Sequence, residues 1–149
     1  MTDFALSLNP DNRVVAFLWH QGECDAFEKN EPDVFKQQLS DMLYDVRAKY
    51  GEKLPFIAGD FVSEWKNKNI ADCVPIVEKI REVAKEAGCS AFVETSDLLS
   101  NNQKNHNGDD IHFCREALYT WTTLFFCFPR DLPKRFCIQI IRGRLCFIK

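Results

Sequence analysis

Three short apolar segments, separated by two longer amphipathic ones, constrain the fold of this chain more than any other feature of its sequence. The short segments are RVVAFLW from Arg13, LPFIAGDFV at 54–62 and SAFVETS at 90–96. Their apolar, β-branched character is typical of strands buried on both faces of a sheet. Strand, helix, strand, helix, strand with short connections predicts right-handed crossovers and a parallel sheet with helices packed on it.

The two intervening segments have helical periodicity. In the first, the apolar residues that share one helix face are Phe35, Leu39, Met42, Leu43, Val46 and Tyr50. Pro32 stands in the expected first turn of this helix and Gly51 just after its last turn, where each is favoured. The second helix is predicted from about 71 to 87, and Gly88 ends it. The connection SEWKNKN before it is predicted to be a polar loop.

The composition argues against several classes of partner. The chain has 149 residues, 46% hydrophobic content and a formal net charge of −3. Nucleic acids and anionic membrane surfaces favour basic proteins, so we expect neither as a partner. The longest apolar stretch, LYTWTTLFFCF, is about half of the roughly 20 residues needed to span a bilayer. The opening residues lack the features of a secretory signal, and we expect a cytoplasmic location.

The cysteines indicate reduced thiols. Seven are present, an odd number, and no two are spaced as CxxC. This pattern argues against a disulfide framework and against a zinc ribbon. We therefore expect free thiols in a reducing compartment, with no metal and no other cofactor.

The end of the chain differs from the rest in charge and pattern. Residues 113–149 carry 7 basic and 2 acidic side chains, whereas residues 1–112 carry 12 and 20. From about Tyr119 onward neither a helical nor a strand period is clear. We therefore divide the chain into a domain at 1–118 and an atypical basic, Cys- and Phe-rich tail at 119–149. The tail is open to interpretation as a sheet-edge element, a hydrophobic binding surface, or a frame-shifted or mis-joined end of the coding sequence.

A first polar cluster, WHQGECD from Trp19 to Asp25, follows the first predicted strand. In parallel sheets functional groups gather beyond the carboxyl ends of the strands. Two carboxylates, an amide and an imidazole would be costly to bury there without partners. The cluster is either a polar turn in which Asp25 caps a helix, or part of a functional site.

A second cluster, Asp109-Asp110-Ile111-His112, follows the third predicted strand within the polar loop LSNNQKNHNGDDIHF. A carboxylate three residues before a histidine on a turn can reach the Nδ1 proton of the imidazole. It then fixes the tautomer and stabilises the imidazolium that forms in general-base catalysis. Taken alone, such a spacing is a weak signal.

Together and in this order, WHQGECD and DDIHF resemble the SGNH hydrolase superfamily, and within it the carbohydrate esterases that include sialate O-acetylesterases and certain acetylxylan esterases. The resemblance covers roughly residues 13–113, with Asp110 where glycine is usual. It implies a three-layer α/β/α fold with a parallel, flavodoxin-like sheet. It also implies a serine that attacks an acetyl ester on a sugar.

The resemblance further implies a role for each motif residue. His112 would take the proton of the serine and later activate water. Asp109 would orient His112, and Glu23 is a second candidate for that acid role. Gln21 would donate a hydrogen bond to the oxyanion.

Two more residues of the first motif, Trp19 and His20, would bind the substrate and support the site without performing chemistry. The expected partner is an acetylated carbohydrate. The family's serine block, of G-Q-S-N type, and the glycine block that completes its oxyanion hole are not found, since Ser7 in FALSLNP and the other serines lack that context. We therefore expect an N-terminally incomplete domain, whose exposed sheet edge favours self-association.

Three other interpretations remain open. A cysteine hydrolase would use Cys24 as its nucleophile and His112 as its base. A metal site would draw on His106, Asp109, His112 and Cys114. A catalytically inactive remnant, or a carbohydrate-binding module, would retain the crevice without the serine.

Overall fold

This computed structural model describes residues 2–127, 137–141 and 144–148, which form seven helices and five strands. The helices are α1 (Thr2–Ser7), α2 (Glu23–Phe27), α3 (Pro32–Tyr50), α4 (Ser63–Lys68), α5 (Ile70–Glu86), α6 (Asn101–Asn105) and α7 (Arg115–Cys127). The strands are β1 (Phe17–Trp19), β2 (Phe56–Gly59), β3 (Ser90–Val93), β4 (Cys137–Ile141) and β5 (Arg144–Ile148).

The strands form one mixed sheet in the order β3-β2-β1-β5-β4. β1, β2 and β3 are parallel, with Phe17 opposite Phe56. β5 lies antiparallel to β1, with Leu18 opposite Leu145, and β4 lies antiparallel to β5. The predicted parallel sheet is confirmed for β1 to β3, and two antiparallel strands extend it. Self-association through a sheet edge stays a prediction.

Helices cover both faces of the sheet. Neighbouring side chains of a strand point to opposite faces, so each strand supplies apolar side chains to both faces. On one face Trp19 and Phe56 pack in a core with residues of α3 and α5. On the other face Leu18 and Ile57 pack in a second core with Trp121 of α7. The predicted three-layer α/β/α architecture is confirmed.

The two long helices match their predictions. α3 begins with Pro32 and ends before Gly51, whose φ of 130° favours glycine. Its buried residues are Phe35, Leu39 and Leu43, each four residues apart. Burying a side chain of this kind contributes about 1.5–3 kcal/mol, so the apolar face accounts for the position of α3 against the sheet. α5 follows its predicted span within one residue at each end.

The prediction of a polar loop at SEWKNKN is wrong, because this segment forms α4. The second polar loop, after β3, likewise contains α6. Both helices are short and almost entirely polar, so neither shows an apolar stripe. α4 is held at the core by the ring of Trp65, whose centroid lies 5.9 Å from that of Phe61.

Two local predictions also need correction. β1 is shorter than the segment RVVAFLW, since only Phe17–Trp19 pairs as a strand. Asp25 does not cap a helix, because it lies inside α2, and Gly22 occupies the N-cap position with a φ of 138°. A Cβ at Gly22 would lie 3.0 Å from the Phe61 ring, a tight contact that adds to the preference for glycine at this φ.

Helix α7 runs across the predicted boundary between residues 118 and 119. Its Trp121 is 2% exposed and packs so closely on β2 that a Cβ at Gly59 would lie 2.8 Å from the indole. The division into a domain and a tail stays a prediction. Residues 128–136, 142–143 and 149 of that tail lie outside the described residues.

Candidate active site

The ring of His20 joins the end of β1 to two other parts of the chain. Its Nε2 donates a hydrogen bond to the carbonyl oxygen of Asp60, just after β2, over 3.1 Å. The ring centroids of Phe113 and Trp121 lie 5.2 and 5.0 Å from that of His20. The two sequence motifs therefore meet at the carboxyl edge of the parallel strands, through His20 and Phe113.

Asp109 and His112 form a hydrogen-bonded pair beside this contact. Oδ1 of Asp109 lies 2.8 Å from Nδ1 of His112 and 3.2 Å from its backbone nitrogen. The His112 side chain is 74% exposed and that of Asp109 31%. Since an ionised carboxylate only accepts hydrogen bonds, Nδ1 carries the proton in this pair. Nε2 then has a free lone pair that can take a proton from a reactant.

The electrostatic environment of Asp109 keeps this pairing in place at neutral pH. Partial burial raises the pKa of its carboxyl group, but hydrogen bonds from Asn101 and His112 outweigh burial and hold the pKa below its ordinary value. The carboxylate is therefore ionised at neutral pH. A charge at this distance stabilises a protonated imidazole.

The turn from Gly108 to His112 is held by the first residues of α6. The backbone N–H of Asn101 donates to the carbonyl oxygen of His112 over 2.9 Å, and that of Asn102 donates to the carbonyl oxygen of Asp109 over 2.7 Å. The side-chain oxygen of Asn102 accepts the N–H of Gly108 at 3.0 Å. Both ends of the turn are thus fixed to one helix.

Helix α6 is in turn fixed to α4 by Glu64. The carboxylate of Glu64 accepts hydrogen bonds from the Ser100 hydroxyl, from Asn102 Nδ2 at 2.7 Å and from Lys68 Nζ at 3.0 Å. The Ser100, Lys68 and Asn102 donors lower the pKa of Glu64 to about 2. Ser100 also caps α6 in a reciprocal pair with Gln103. Glu64 had no predicted role, since nothing in the sequence indicated that α4 and α6 meet.

An ion pair ties the turn to α4 at a second point. Lys68 Nζ lies 2.8 Å from Asp110, with side chains 53% and 26% exposed. A pair this exposed contributes about 0–1 kcal/mol. The aspartate that replaces the usual glycine of the motif therefore has a local partner and is compatible with the turn.

Sequence reasoning also missed a buried carboxylate at the end of β2. The side chain of Asp60 is 2% exposed and forms an ion pair with Lys66 of α4. Its Oδ1 accepts the backbone N–H of Phe61 at 2.7 Å. The sequence contained a signal for this residue. Asp60 directly follows the buried strand FIAG, and polar groups at the carboxyl ends of parallel strands are candidate site residues. The Asp60–Lys66 ion pair therefore joins the end of β2 to α4.

Trp19 and Gln21 lie on the opposite side of β1 from His20, as the alternation of side chains requires. Trp19 is 8% exposed and packs in the core between β1 and α3. The amide of Gln21 donates to Asp25 Oδ2 over 3.3 Å. Both residues border a small cavity of about 200 Å³ beside α3.

Glu23 and Cys24 begin α2, with Glu23 partly buried and Cys24 exposed. Within the described part of the chain, no hydrogen bond or ion pair joins Glu23, Gln21 or Cys24 to His112. The structure brings Asp109 and His112 together, and it shows no such contact for the other predicted site residues.

The described segments contain neither a metal-binding cluster nor a membrane-spanning helix. No group of three or more His, Cys, Asp or Glu side chains in the described segments could hold a metal ion, so the alternative metal site around His106 and Cys114 is not formed. None of the described helices combines the length and apolar character that crossing a membrane requires.

Comparisons with known proteins bear on the identity of this fold and site. Curated proteins and solved structures gave no match. A family model described as carbohydrate esterase, sialic acid-specific acetylesterase, matches residues 3–123. This region is most of the chain and spans the positions of both motifs. The chain therefore belongs to the sialic acid-specific acetylesterase family of carbohydrate esterases.

Proposed function

We propose that this chain provides the acid–base part of a carbohydrate O-acetylesterase, which hydrolyses acetyl esters on sugars by a Ser-His-Asp mechanism. The observation that carries the proposal is the 2.8 Å contact between Asp109 Oδ1 and His112 Nδ1, on a histidine that is 74% exposed. The family supports a sugar acetate, and specifically an O-acetylated sialic acid, as the substrate.

In the proposed mechanism His112 transfers one proton in each half of the reaction. Nε2 takes the proton of the serine hydroxyl as its oxygen attacks the acetyl carbonyl. It then gives this proton to the sugar oxygen, which leaves as an alcohol, and the acetyl group stays on the serine. Water repeats the sequence and releases acetate. Positioned proton transfer of this kind accelerates a reaction by about 10²–10⁴-fold.

Asp109 is the acid partner in this proposal, in preference to Glu23. Its carboxylate already accepts the Nδ1 proton, and the low pKa of Asp109 keeps it charged when the imidazolium forms. Glu23 makes no described contact with His112, so using it would require a rearrangement of α2.

Gln21 is proposed as the oxyanion donor, and His20 as a support for the site. The Gln21 amide donates only a 3.3 Å hydrogen bond to Asp25, which leaves donor capacity for an oxyanion. Because Gln21 lies on the α3 side of β1, this role requires the acetyl group to bind across the end of β1, between Gln21 and His112. His20 has its Nε2–H on Asp60 and its ring against Phe113 and Trp121, which suits positioning better than proton transfer. Trp19 lies in the core and would support β1 from the other side.

The nucleophile in this proposal comes from a G-Q-S-N segment that is not among these 149 residues. Three serines near the sheet have hydroxyl groups already engaged: Ser63 with the Thr95 carbonyl, Ser90 with the Ala84 carbonyl, and Ser100 with Glu64.

Acetate release from O-acetylated sialic acid tests the proposal. Three samples would be assayed. The first is the unaltered chain alone, and the second is the unaltered chain together with a polypeptide that carries a family G-Q-S-N block. The third is the His112→Ala variant together with the same polypeptide. A sugar acetate has a much poorer leaving group than an aryl acetate, so with this substrate we expect acetate only when the unaltered chain and the polypeptide are combined. Association of the two without acetate release contradicts the proposal.

A second candidate function is a noncatalytic sugar-binding module. The absence of a G-Q-S-N block from this sequence favours it. Under this alternative the complemented chain binds O-acetylated sialic acid and releases no acetate, and His112→Ala leaves the affinity unchanged.

A further inference from the structure

The two carboxylate oxygens of Asp109 have different partners. Oδ1 faces the imidazole and the backbone N–H of His112. Oδ2 accepts a hydrogen bond from the side-chain amide of Asn101 over 2.9 Å. The plane of the carboxylate is therefore set from both sides, by the base on one side and by α6 on the other.

Asn101 also holds the far end of the same turn. Its backbone N–H donates to the carbonyl oxygen of His112 over 2.9 Å. One residue thus contacts Asp109 through its side chain and His112 through its backbone. The separation between the carboxylate and the imidazole depends on both contacts.

The position of Asn101 is itself determined by α4. Helix α6 spans only five residues, which is far too short for it to be stable alone. Its neighbours Ser100 and Asn102 are both bound to the carboxylate of Glu64. A chain of hydrogen bonds therefore runs from Glu64, through the start of α6, to Asp109 and His112.

We propose that Asn101 is a positioning residue for the Asp109–His112 pair, which it holds in the orientation where Nδ1 of His112 donates to Asp109. Its catalytic significance rests on the esterase function proposed above, whereas the positioning itself does not. The terminal torsion of an aspartate is broad, so its carboxylate needs partners on both oxygens to keep one orientation. The backbone N–H of His112 contacts Oδ1 at 3.2 Å, a longer bond than the 2.9 Å bond from Asn101 to Oδ2. The Asn101 amide is therefore the shorter of the two contacts that keep Oδ1 on the imidazole.

Loss of the Asn101 amide has a specific consequence for His112. With Oδ2 released to water, the carboxylate rotates and the Nδ1–H donor loses its fixed acceptor. A neutral imidazole without a fixed partner can carry its proton on either nitrogen. The fraction of His112 in the Nδ1–H tautomer therefore reports the positioning role directly.

Nitrogen-15 NMR of histidine-labelled protein measures this fraction, at a pH where His112 is neutral. Two variants remove the donor: Asn101→Ala, and Asn101→Asp, which keeps the shape of the side chain. The matched control is Lys104→Ala, an exposed position on the same helix. The resonance of His20, whose Nε2–H bonds to Asp60, serves in each spectrum as an internal control for folding.

We expect His112 to be mainly the Nδ1–H tautomer in the unaltered chain and in Lys104→Ala. In both Asn101 variants we expect a mixture, with His20 unchanged. An unchanged His112 tautomer in both variants overturns the proposal. Loss of the His20 signal in both overturns it as well, because Asn101 would then support the whole fold. The readout needs no nucleophile, so failure of the esterase proposal leaves this result separately interpretable.

Discussion

The ring of His20 lies 5.2 Å from the ring of Phe113, and this contact joins the end of β1 to the turn that carries His112. Phe113 directly follows His112 and is 5% exposed, so its burial fixes the point at which the chain leaves the core. The exposed imidazole of His112 is therefore attached to a backbone that is anchored in the core. A proton acceptor must keep a set distance from its reactant, and such anchoring helps to maintain that distance.

Asp109→Asn is expected to remove most of the activity while leaving the fold intact. The amide of asparagine can donate to Nδ1, which favours the tautomer whose Nε2 is protonated and cannot accept a proton. Loss of the corresponding carboxylate in a Ser-His-Asp hydrolase lowers kcat by about 10⁴-fold. We expect a decrease of about 10²–10⁴-fold in the rate of acetate release from the complemented chain. Asp97→Asn, at an exposed position, is the control and should retain full activity.

Gly59→Ala is expected to destabilise the protein, because the new methyl group would lie 2.8 Å from the indole of Trp121. Overpacking of this kind costs about 1–3 kcal/mol. Trp121→Ala should cost about 3–5 kcal/mol, since it removes a large buried side chain. Tyr119→Ala, on the same helix but 61% exposed, is the matched control. Denaturant unfolding measures all three, and equal effects for Tyr119 and Trp121 would contradict the described packing of α7.

Lys66→Met should destabilise the fold strongly, because it leaves the carboxylate of Asp60 buried without its ion-pair partner. Breaking a buried pair from one side costs about 3–5 kcal/mol. Lys68→Met removes a lysine that is 53% exposed and should cost no more than about 1 kcal/mol. The comparison is made by urea unfolding at neutral pH. Similar losses for the two variants would mean that the Asp60–Lys66 pair is not buried as described.

The depressed pKa of Glu64 predicts a stability change in acid. In the folded chain its pKa is lowered from 4.5 to about 2, by donors from Ser100, Lys68 and Asn102. A folded-state pKa below the unfolded value gives stability that is present above the unfolded pKa. That stability is lost as the pH falls from about 4.5 towards about 2. Glu64→Gln should therefore flatten the acid side of the stability profile, and Asn67→Ala, on the exposed side of α4, should not.

The long helices and the parallel strands could be predicted because each one buries an apolar pattern of its own. Phe35, Leu39 and Leu43 repeat every four residues, and only one helix face explains this spacing. The meeting of the two motifs was also predictable, since the carboxyl ends of parallel strands share one edge of the sheet. The orientation of Asp109 towards His112 followed from their spacing on a turn.

Contacts between distant polar residues could not be predicted in this way. α4 and α6 have no apolar period, and the one available signal was the capping box formed by Ser100 and Gln103. The choice of Glu64 as the anchor of α6, and of Asn101 as the second partner of Asp109, depends on tertiary packing. No local pattern of residues encodes either contact.

The most direct test of the account asks whether His112 acts as a general base in this chain alone. An added small alcohol can replace the serine as the acetyl acceptor from an aryl acetate, and ester formation is followed with increasing alcohol. We expect the unaltered chain to accelerate acetyl transfer, His112→Ala to lower that rate by at least about tenfold, and Asp109→Asn to lower it similarly. His106→Asn, at an exposed histidine of the same segment, should retain the full rate. Equal rates for His112→Ala and His106→Asn would contradict the central claim, because any exposed imidazole would then account for the reaction.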